Sequence, residues 1–153
     1  MDSSALDIKL VFAVMSGKVS SAINRRMYRN FRNAGLEITP EQWSVLVFLR
    51  QQQDKVTQKA IADATYKDRP SITRLIDNME KQELVTRVQD STDRRTNKIC
   101  LTKKGFDLYE KIYPITLKTM QEALKGFSEE DISNVQYLLK KIFSNIEKQD
   151  ECF

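Results

Sequence analysis

The chain has 153 residues, of which 41% are hydrophobic and 30% are charged, and its formal net charge is +4. These values are typical of a folded protein with one core rather than of a disordered chain. Histidine, the commonest general base and transition-metal ligand, is absent, and the sequence has no glycine-rich phosphate loop. We therefore expect no catalytic residues, no metal site and no cofactor, which disfavours an enzyme.

The two cysteines, Cys100 and Cys152, are too few for a disulfide scaffold, and we expect neither to act as a redox switch. The apolar run from Leu10 to Met15 is shorter than the roughly 20 residues that cross a bilayer, and no basic flank precedes it as in a signal peptide. We expect a soluble cytoplasmic protein without membrane association.

Apolar residues recur at steps of three or four from about Ser4 to Asn33, which predicts a long amphipathic first helix ending at Gly35. Its apolar stripe comprises Ile8, Phe12, Met15, Val19, Ile23, Met27 and Phe31. The same helix carries four arginines: Arg25, Arg26, Arg29 and Arg32. These are either the solvent face of a dimerisation helix, which we favour, or a second phosphate contact.

The second helix is predicted from its first turn, because Thr39 suits the N-cap, Pro40 the first helical position and Gln42 the third. Its apolar side comprises Trp43, Leu46, Val47 and Leu49. A third helix begins after Thr57, another N-cap residue, and we expect its apolar residues to face inward: Ile61, Ala62 and Tyr66.

A fourth helix follows after a short turn, with Asp68 as its cap and Pro70 in its first turn. The helical spacing of Ile72, Leu75, Ile76 and Met79 assigns these residues to the core. The remaining faces carry Arg69, Ser71, Thr73 and Arg74. Two short helices joined by a tight turn, the second with exposed polar residues, are typical of a helix-turn-helix.

A β-hairpin is predicted next, with Leu84, Val85 and Val88 in one strand and Ile99 and Leu101 in the other. The polar segment 89–97 between them contains two adjacent arginines, whereas a hairpin that only had to turn would favour glycine or Asn-Gly. Residues 55–105 contain 12 Lys and Arg against 7 Asp and Glu, so the positive excess of the chain lies here. Such a local excess favours contact with phosphates.

Two more helices are predicted after the hairpin. Thr102 caps the first, which Pro114 should kink, and Ser128 with Asp131 forms a capping box for the last. The apolar stripes of the terminal helices exceed what the small central unit can cover. We therefore expect a homodimer with interleaved terminal helices; the alternative is an internal helical bundle in a monomer.

The sequence resembles the MarR family of bacterial winged helix-turn-helix regulators over nearly its whole length. The segments that carry the resemblance are ITPEQWSVL (38–46), TQKAIADA (57–64), DRPSITRLIDNME (68–80) and DSTDRRTNKICLTKKG (90–105). The resemblance implies a homodimer that binds a pseudo-palindromic operator in double-stranded DNA, that usually represses, and that often responds to a small aromatic or phenolic effector. Two turns depart from the family pattern, because Tyr66 and Glu83 stand where glycine is usual. These turns either adopt another conformation or carry strain.

The residues predicted to contact DNA lie in the fourth helix and at the tip of the hairpin: Arg69, Pro70, Ser71, Thr73, Arg74, Asp93, Arg94 and Arg95. Arginine suits phosphates, guanine edges and narrow minor grooves, whereas Asp93 would repel DNA and is better suited to holding an arginine in position. The effector could lie among Met27, Tyr28, Phe31 and Trp43. The simpler alternative is that these four residues belong to the core.

The predicted fold class is mainly α with a small β-hairpin wing: a winged helix-turn-helix core with long N- and C-terminal dimerisation helices. The predicted organisation is one structural unit with three segments: an N-terminal dimerisation helix over 1–36, a DNA-binding domain over 37–104 and C-terminal dimerisation helices over 105–153. The favoured function is a sequence-specific DNA-binding transcriptional regulator. The alternative is a winged-helix protein-interaction adaptor, which would have no need of a basic wing tip.

Overall fold

A computed structural model describes residues 8–52 and 56–150. The six helices are α1 (Ile8–Asn33), α2 (Pro40–Gln51), α3 (Gln58–Thr65), α4 (Arg69–Lys81), α5 (Lys103–Ala123) and α6 (Glu129–Asp150). The three strands are β1 (Val56–Thr57), β2 (Val85–Gln89) and β3 (Asn97–Leu101). The predicted fold class, mainly helical with a small β wing, is confirmed. The predicted start of α1 at Ser4 lies outside the described residues, as does Cys152.

The three strands form one antiparallel sheet in the order β1-β3-β2. The predicted hairpin pairs β2 with β3, with Val85 opposite Leu101 and Gln89 opposite Asn97. Strand β1 was not predicted; it places Val56 opposite Ile99 just before α3. Two residues are too few to show the alternation by which a strand is recognised in a sequence.

The chain divides into two compact units, Met1–Thr119 and Met120–Phe153. The first unit contains the core, in which residues from α1 to α5 and the sheet meet. Its fully buried side chains include Phe31, Leu46, Ile61, Ile72, Ile76, Met79, Ile99 and Ile112. The predicted inward face of α4 is thus confirmed, but Tyr66 was wrongly assigned to the interior, since 64% of it is exposed.

Local capping signals fix where these helices begin. The Thr39 hydroxyl accepts a bond from the Gln42 N–H, and the Gln42 side chain accepts from the Thr39 N–H, so the predicted capping box is present. Thr57 caps α3 by accepting a bond from the Ala60 N–H, and Asp68 caps α4 by accepting one from the Ser71 N–H. Gly35, at a φ of 73°, ends the turn after α1 in a conformation that favours glycine.

Helix α5 runs continuously through Pro114, and Thr102 caps it by accepting a bond from the Gly105 N–H. In the second unit, α6 begins with a reciprocal pair between Ser128 and Asp131, which confirms the second predicted box. The backbone N–H and the hydroxyl of Ser128 donate to the Asp131 carboxylate and hold its pKa below the ordinary value. Within the described ranges, no helix is both long and apolar enough to span a bilayer.

Candidate nucleic-acid interface

The first turn of α4 is organised by Asp68. Its carboxylate accepts bonds from the Ser71 N–H at 2.8 Å and from the Ser71 hydroxyl at 2.9 Å. These bonds, the backbone one first, hold the pKa of Asp68 below its ordinary value. Ser71 therefore uses its hydroxyl within the helix cap. Its contribution to the predicted DNA-facing set is to fix the first turn of α4, and with it the positions of the neighbouring residues.

Thr73 connects α4 to α3. Its hydroxyl donates to the Arg69 carbonyl at 2.9 Å and accepts from the Gln58 side chain at 2.6 Å. This hydroxyl is thus occupied, and the methyl group is what Thr73 can present to a ligand. Gln58 is a candidate residue that sequence reasoning missed, because only the packing of α3 on α4 places it beside Thr73.

Arg69, Pro70 and Arg74 are exposed on α4. The core side of this helix is filled by Ile72, Ile76 and Met79, so the arginines project away from the interior. Neither arginine has an ion pair to a residue within 8–52 or 56–150. Two exposed guanidinium groups less than two helical turns apart could bind phosphate oxygens or guanine edges.

The wing loop between β2 and β3 is ordered by Asp90. One carboxylate oxygen accepts bonds from the Thr92 N–H and hydroxyl, both at 2.9 Å, and the other pairs with the Lys98 ammonium at 3.0 Å. The Thr92 N–H and then Lys98 lower the pKa of Asp90 from 3.8 to about 2. The base of the loop is therefore fixed by a carboxylate that is charged at neutral pH.

Asp93 forms the turn at the wing tip. Its carboxylate accepts from the Arg95 N–H at 2.9 Å and from the Thr96 hydroxyl at 3.0 Å. Asp93 was expected to hold an arginine in position, and it does so through the main-chain N–H of Arg95. The Gln89 side chain donates to the Arg94 carbonyl at 2.9 Å, and the side chains of Arg94 and Arg95 are exposed.

Arg87, in β2, joins the wing to α4. Its Nη2 lies 2.7 Å from the Asp77 carboxylate, and its Nη1 donates to Glu80. Its backbone N–H also donates to Glu80 at 3.2 Å. Partial burial disfavours the charged form, but the bonds to Asp77 and Glu80 outweigh it and hold the pKa of Arg87 above its ordinary value.

The turns before and after α4 each contain a residue in the left-handed region. Tyr66 has a φ of 52° and Glu83 a φ of 60°. The two turns therefore keep the backbone conformation that glycine would favour. Of the two alternatives, a different turn or a strained one, the structure shows the strained one. A left-handed residue other than glycine costs about 1–2 kcal/mol.

The end of β3 fits closely against the residues that precede β2. The Thr102 hydroxyl donates to the Glu83 carbonyl at 2.6 Å, and the Thr102 N–H donates to the Leu84 carbonyl at 3.2 Å. A Cβ at Gly105 would lie 2.0 Å from that Leu84 oxygen. In the LTKKG segment that follows the wing, Thr102 thus bonds to the residues before β2, and Gly105 allows α5 to approach them closely.

The four candidate effector residues do not share one site. Met27, Phe31 and Trp43 are buried in the core, with the rings of Phe31 and Trp43 edge to face at 6.4 Å. Tyr28 is exposed and lines an open groove of about 770 Å³. The groove runs from α1 to the last turn of α4, and its charged lining residues are two cations and one carboxylate: Arg32, Lys81 and Glu37.

Gln42 joins the two sides of this groove. It is buried, and its side chain donates to Gln82 at 3.0 Å while also holding the Thr39 N–H. Beside the groove, Arg25, Arg29 and Arg32 form a smaller recess of about 350 Å³ with Tyr28. The Arg32 guanidinium lies 5.9 Å from the centre of the Tyr28 ring. An anion with an aromatic ring would find complementary groups here.

Comparisons with known proteins agree with this geometry. A sequence model of the MarR family matches residues 36–96. The crystal structure of transcriptional regulator PA3341 is 30% identical, with a TM-score of 0.78, and the match covers 90% of this chain and 98% of that one. MepR of S. aureus in complex with DNA is 27% identical, with coverages of 88% and 96% and a TM-score of 0.78.

AbsC, a MarR family transcriptional regulator from Streptomyces coelicolor, is 20% identical and shows the same fold, with coverages of 94% and 97% and a TM-score of 0.82. The likeness extends over the terminal helices as well as the wing, because nine tenths or more of each of the PA3341 and AbsC chains and of this one is matched. The match of the MarR family model and the 30% identity to PA3341 over 90% of this chain establish that the chain belongs to the MarR family of winged-helix DNA-binding transcriptional regulators.

Proposed function

We propose that this protein is a homodimeric, sequence-specific repressor that binds a pseudo-palindromic operator. The observation that carries the proposal is the wing tip, where Arg94 and Arg95 are exposed on a loop whose main chain is fixed by Asp90 and Asp93. Ordering the loop before binding lowers the entropy lost when it meets DNA. An adaptor that binds protein would have no use for two arginines presented in this way.

In the proposed complex, α4 enters the major groove with Arg69 and Arg74 directed at bases or phosphates. The wing arginines reach the adjacent minor groove, where a narrow groove concentrates negative potential. The Thr73 methyl is available to a thymine methyl, since its hydroxyl is bound within the protein. Asp93 acts through the main chain of Arg95 rather than by touching DNA.

The proposed dimer rests on apolar side chains that a single chain leaves uncovered. On α1 the exposed ones include Leu10, Phe12, Met15 and Val19. On α6 they include Val135, Leu138, Leu139, Ile142 and Ile146. Contiguous apolar faces of this kind mark protein interfaces. A pairing of two copies would also place two α4 helices on one duplex, as a two-fold operator requires.

The proposed effector is a small aromatic anion that binds the groove lined by Tyr28, Arg32 and Lys81. This groove connects the dimerisation helix α1 to the end of the recognition helix α4. A ligand that binds more tightly when the two helices are misplaced for the operator would lower DNA affinity by that difference. An Arg32→Ala variant should still bind DNA but lose release by salicylate, the aromatic acid we would use as the first probe.

The first experiment is fluorescence anisotropy with DNA from upstream of the protein's own gene, at several salt concentrations and with random duplex as competitor. We expect salt-sensitive binding that survives the competitor. Arg95→Ala should weaken binding to all sequences and reduce the slope of log affinity against log salt by about 1. The matched control is Lys118→Ala, which also removes one exposed positive charge. Lys118 lies in α5, roughly 22 Å from the first residue of that helix, Lys103, which follows the wing.

Equal effects of Arg95→Ala and Lys118→Ala would mean that the wing contributes only general charge. A sequence-specific regulator would be contradicted by two results together. Random duplex would abolish binding to the upstream DNA, and selection from a random-sequence library would yield no preferred sequence. Light scattering on the same samples tests the dimer, and a monomer that binds a single half-site would contradict that part of the proposal.

A further inference from the structure

We propose that Arg87 is a positioning residue that fixes the wing at one angle to α4, so that the wing arginines and the recognition helix meet DNA together. The inference deepens the proposed DNA-binding function and depends on it. Arg87 lies within the basic wing but is partly buried, whereas Arg94 and Arg95 are exposed. Only 22% of the Arg87 side chain is exposed.

The partners of Arg87 both come from one face of α4. Asp77 and Glu80 are three residues apart, so their carboxylates lie side by side on the helix surface. The planar guanidinium places Nη2 on Asp77 at 2.7 Å and Nη1 on Glu80. A lysine would offer one point of charge and could not reproduce this two-pronged contact.

The main chain of β2 is held at the same point. Strand β2 lies at one edge of the sheet, and the N–H of Arg87 donates to Glu80 rather than to another strand. Glu80 therefore binds both the side chain and the backbone of Arg87. The strand that leads to the wing tip is attached to α4 by three bonds at one residue.

Because Arg87 lies some distance before the wing tip, a small change of angle at Arg87 displaces the tip. Arg87 precedes the wing loop by three residues, so the start of the loop lies about 10 Å further along at about 3.3 Å per residue, and the tip lies beyond it. A rotation of ~10° at Arg87 would then move the tip by ~2 Å, which exceeds the tolerance of a hydrogen bond to phosphate. Loss of the attachment should therefore weaken DNA binding without removing any contacting group.

The sign of one substitution separates positioning from general charge. Asp77→Ala removes a negative charge from a protein that binds a polyanion, so electrostatics alone predicts tighter binding. If Asp77 holds Arg87, the same change should weaken binding about tenfold, a typical size for coupled charged groups. Asp63→Ala is the matched control, because Asp63 is a helical, exposed aspartate paired with Lys59 on α3 and has no bond to the wing. It should leave affinity unchanged or raise it slightly.

A double-mutant cycle tests whether the two residues act as one unit. Arg87→Met keeps an unbranched side chain close in length to the stem of arginine and removes the guanidinium. We expect Arg87→Met with Asp77→Ala to bind no more weakly than Arg87→Met alone, and we expect the salt slope to be unchanged in each variant. The DNA is a duplex selected by the wild-type protein from a random-sequence library, and circular dichroism confirms that each variant is folded.

A fall of about 1 in the salt slope of Arg87→Met, with Asp77→Ala as tight as wild type, would overturn the proposal and make Arg87 a phosphate contact. Hydrogen exchange of the wing amides in the free proteins provides a test without DNA. Asp77→Ala should accelerate exchange across residues 90–96, and unchanged exchange would also overturn the proposal. If the wild-type protein selects no sequence, the proposed function fails, while the exchange result still decides whether Arg87 fixes the wing.

Discussion

The contact between Gly105 and Leu84 leads to a quantitative prediction for Gly105→Ala. The added Cβ would lie 2.0 Å from the Leu84 oxygen and 3.0 Å from the Leu84 carbon. An ordinary carbon–oxygen contact is about 3.3 Å, so either α5 or the chain before β2 must move by about 1.3 Å. The neighbour is backbone and cannot turn away as a flexible side chain could.

The free-energy cost has three parts. Overpacking by one carbon costs about 1–3 kcal/mol. The shift also strains the bonds that Thr102 donates to Leu84 and Glu83, each worth about 1 kcal/mol. Alanine is favoured over glycine within a helix by about 1 kcal/mol, which offsets part of the loss. We expect a net loss of about 2–4 kcal/mol and a fall in Tm of roughly 5–15 °C.

The assay is urea and thermal unfolding of wild type and two variants at equal protein concentration. Gly17→Ala is the matched control, because a Cβ at Gly17, also within a helix, meets nothing within 4 Å. It should raise stability by up to about 1 kcal/mol. If Gly105→Ala is as stable as Gly17→Ala, α5 does not approach the Leu84 carbonyl as closely as described.

Two further predictions concern the turns around α4 and the wing. Glu83→Gly should stabilise the protein by about 0.5–1 kcal/mol in urea unfolding, since relief of left-handed strain exceeds the added chain entropy of glycine; Tyr66→Gly should change stability in the same direction, and a loss in both would contradict the strain. Asp90 has a folded pKa of about 2 against 3.8. Its contribution to stability is therefore complete above pH 3.8 and disappears as the pH falls towards 2. Asp90→Asn should remove this dependence in wing amide exchange, and an identical pH profile in wild type and variant would refute it.

Much of this fold is determined by short stretches of sequence. The caps at Thr39, Asp68 and Ser128 each involve residues no more than three apart, so the letters alone predict where those helices begin. The core face of α4 follows from helical spacing, and the wing follows from two apolar runs around a charged loop. These are local effects, and local chemistry is readable without a structure.

The contacts that give the candidate interface its shape depend on tertiary structure. Gln58 meets Thr73 across 15 residues and Thr102 meets Glu83 across 19, at separations that no sequence pattern specifies. The same holds for Arg87, which sequence reasoning counted only as one more positive charge. The sequence by itself placed arginines at the wing and recognition helix. Tertiary packing decided which of them stay exposed at the candidate interface and which one is bonded to α4, because that choice depends on the neighbours each guanidinium meets once the chain has folded.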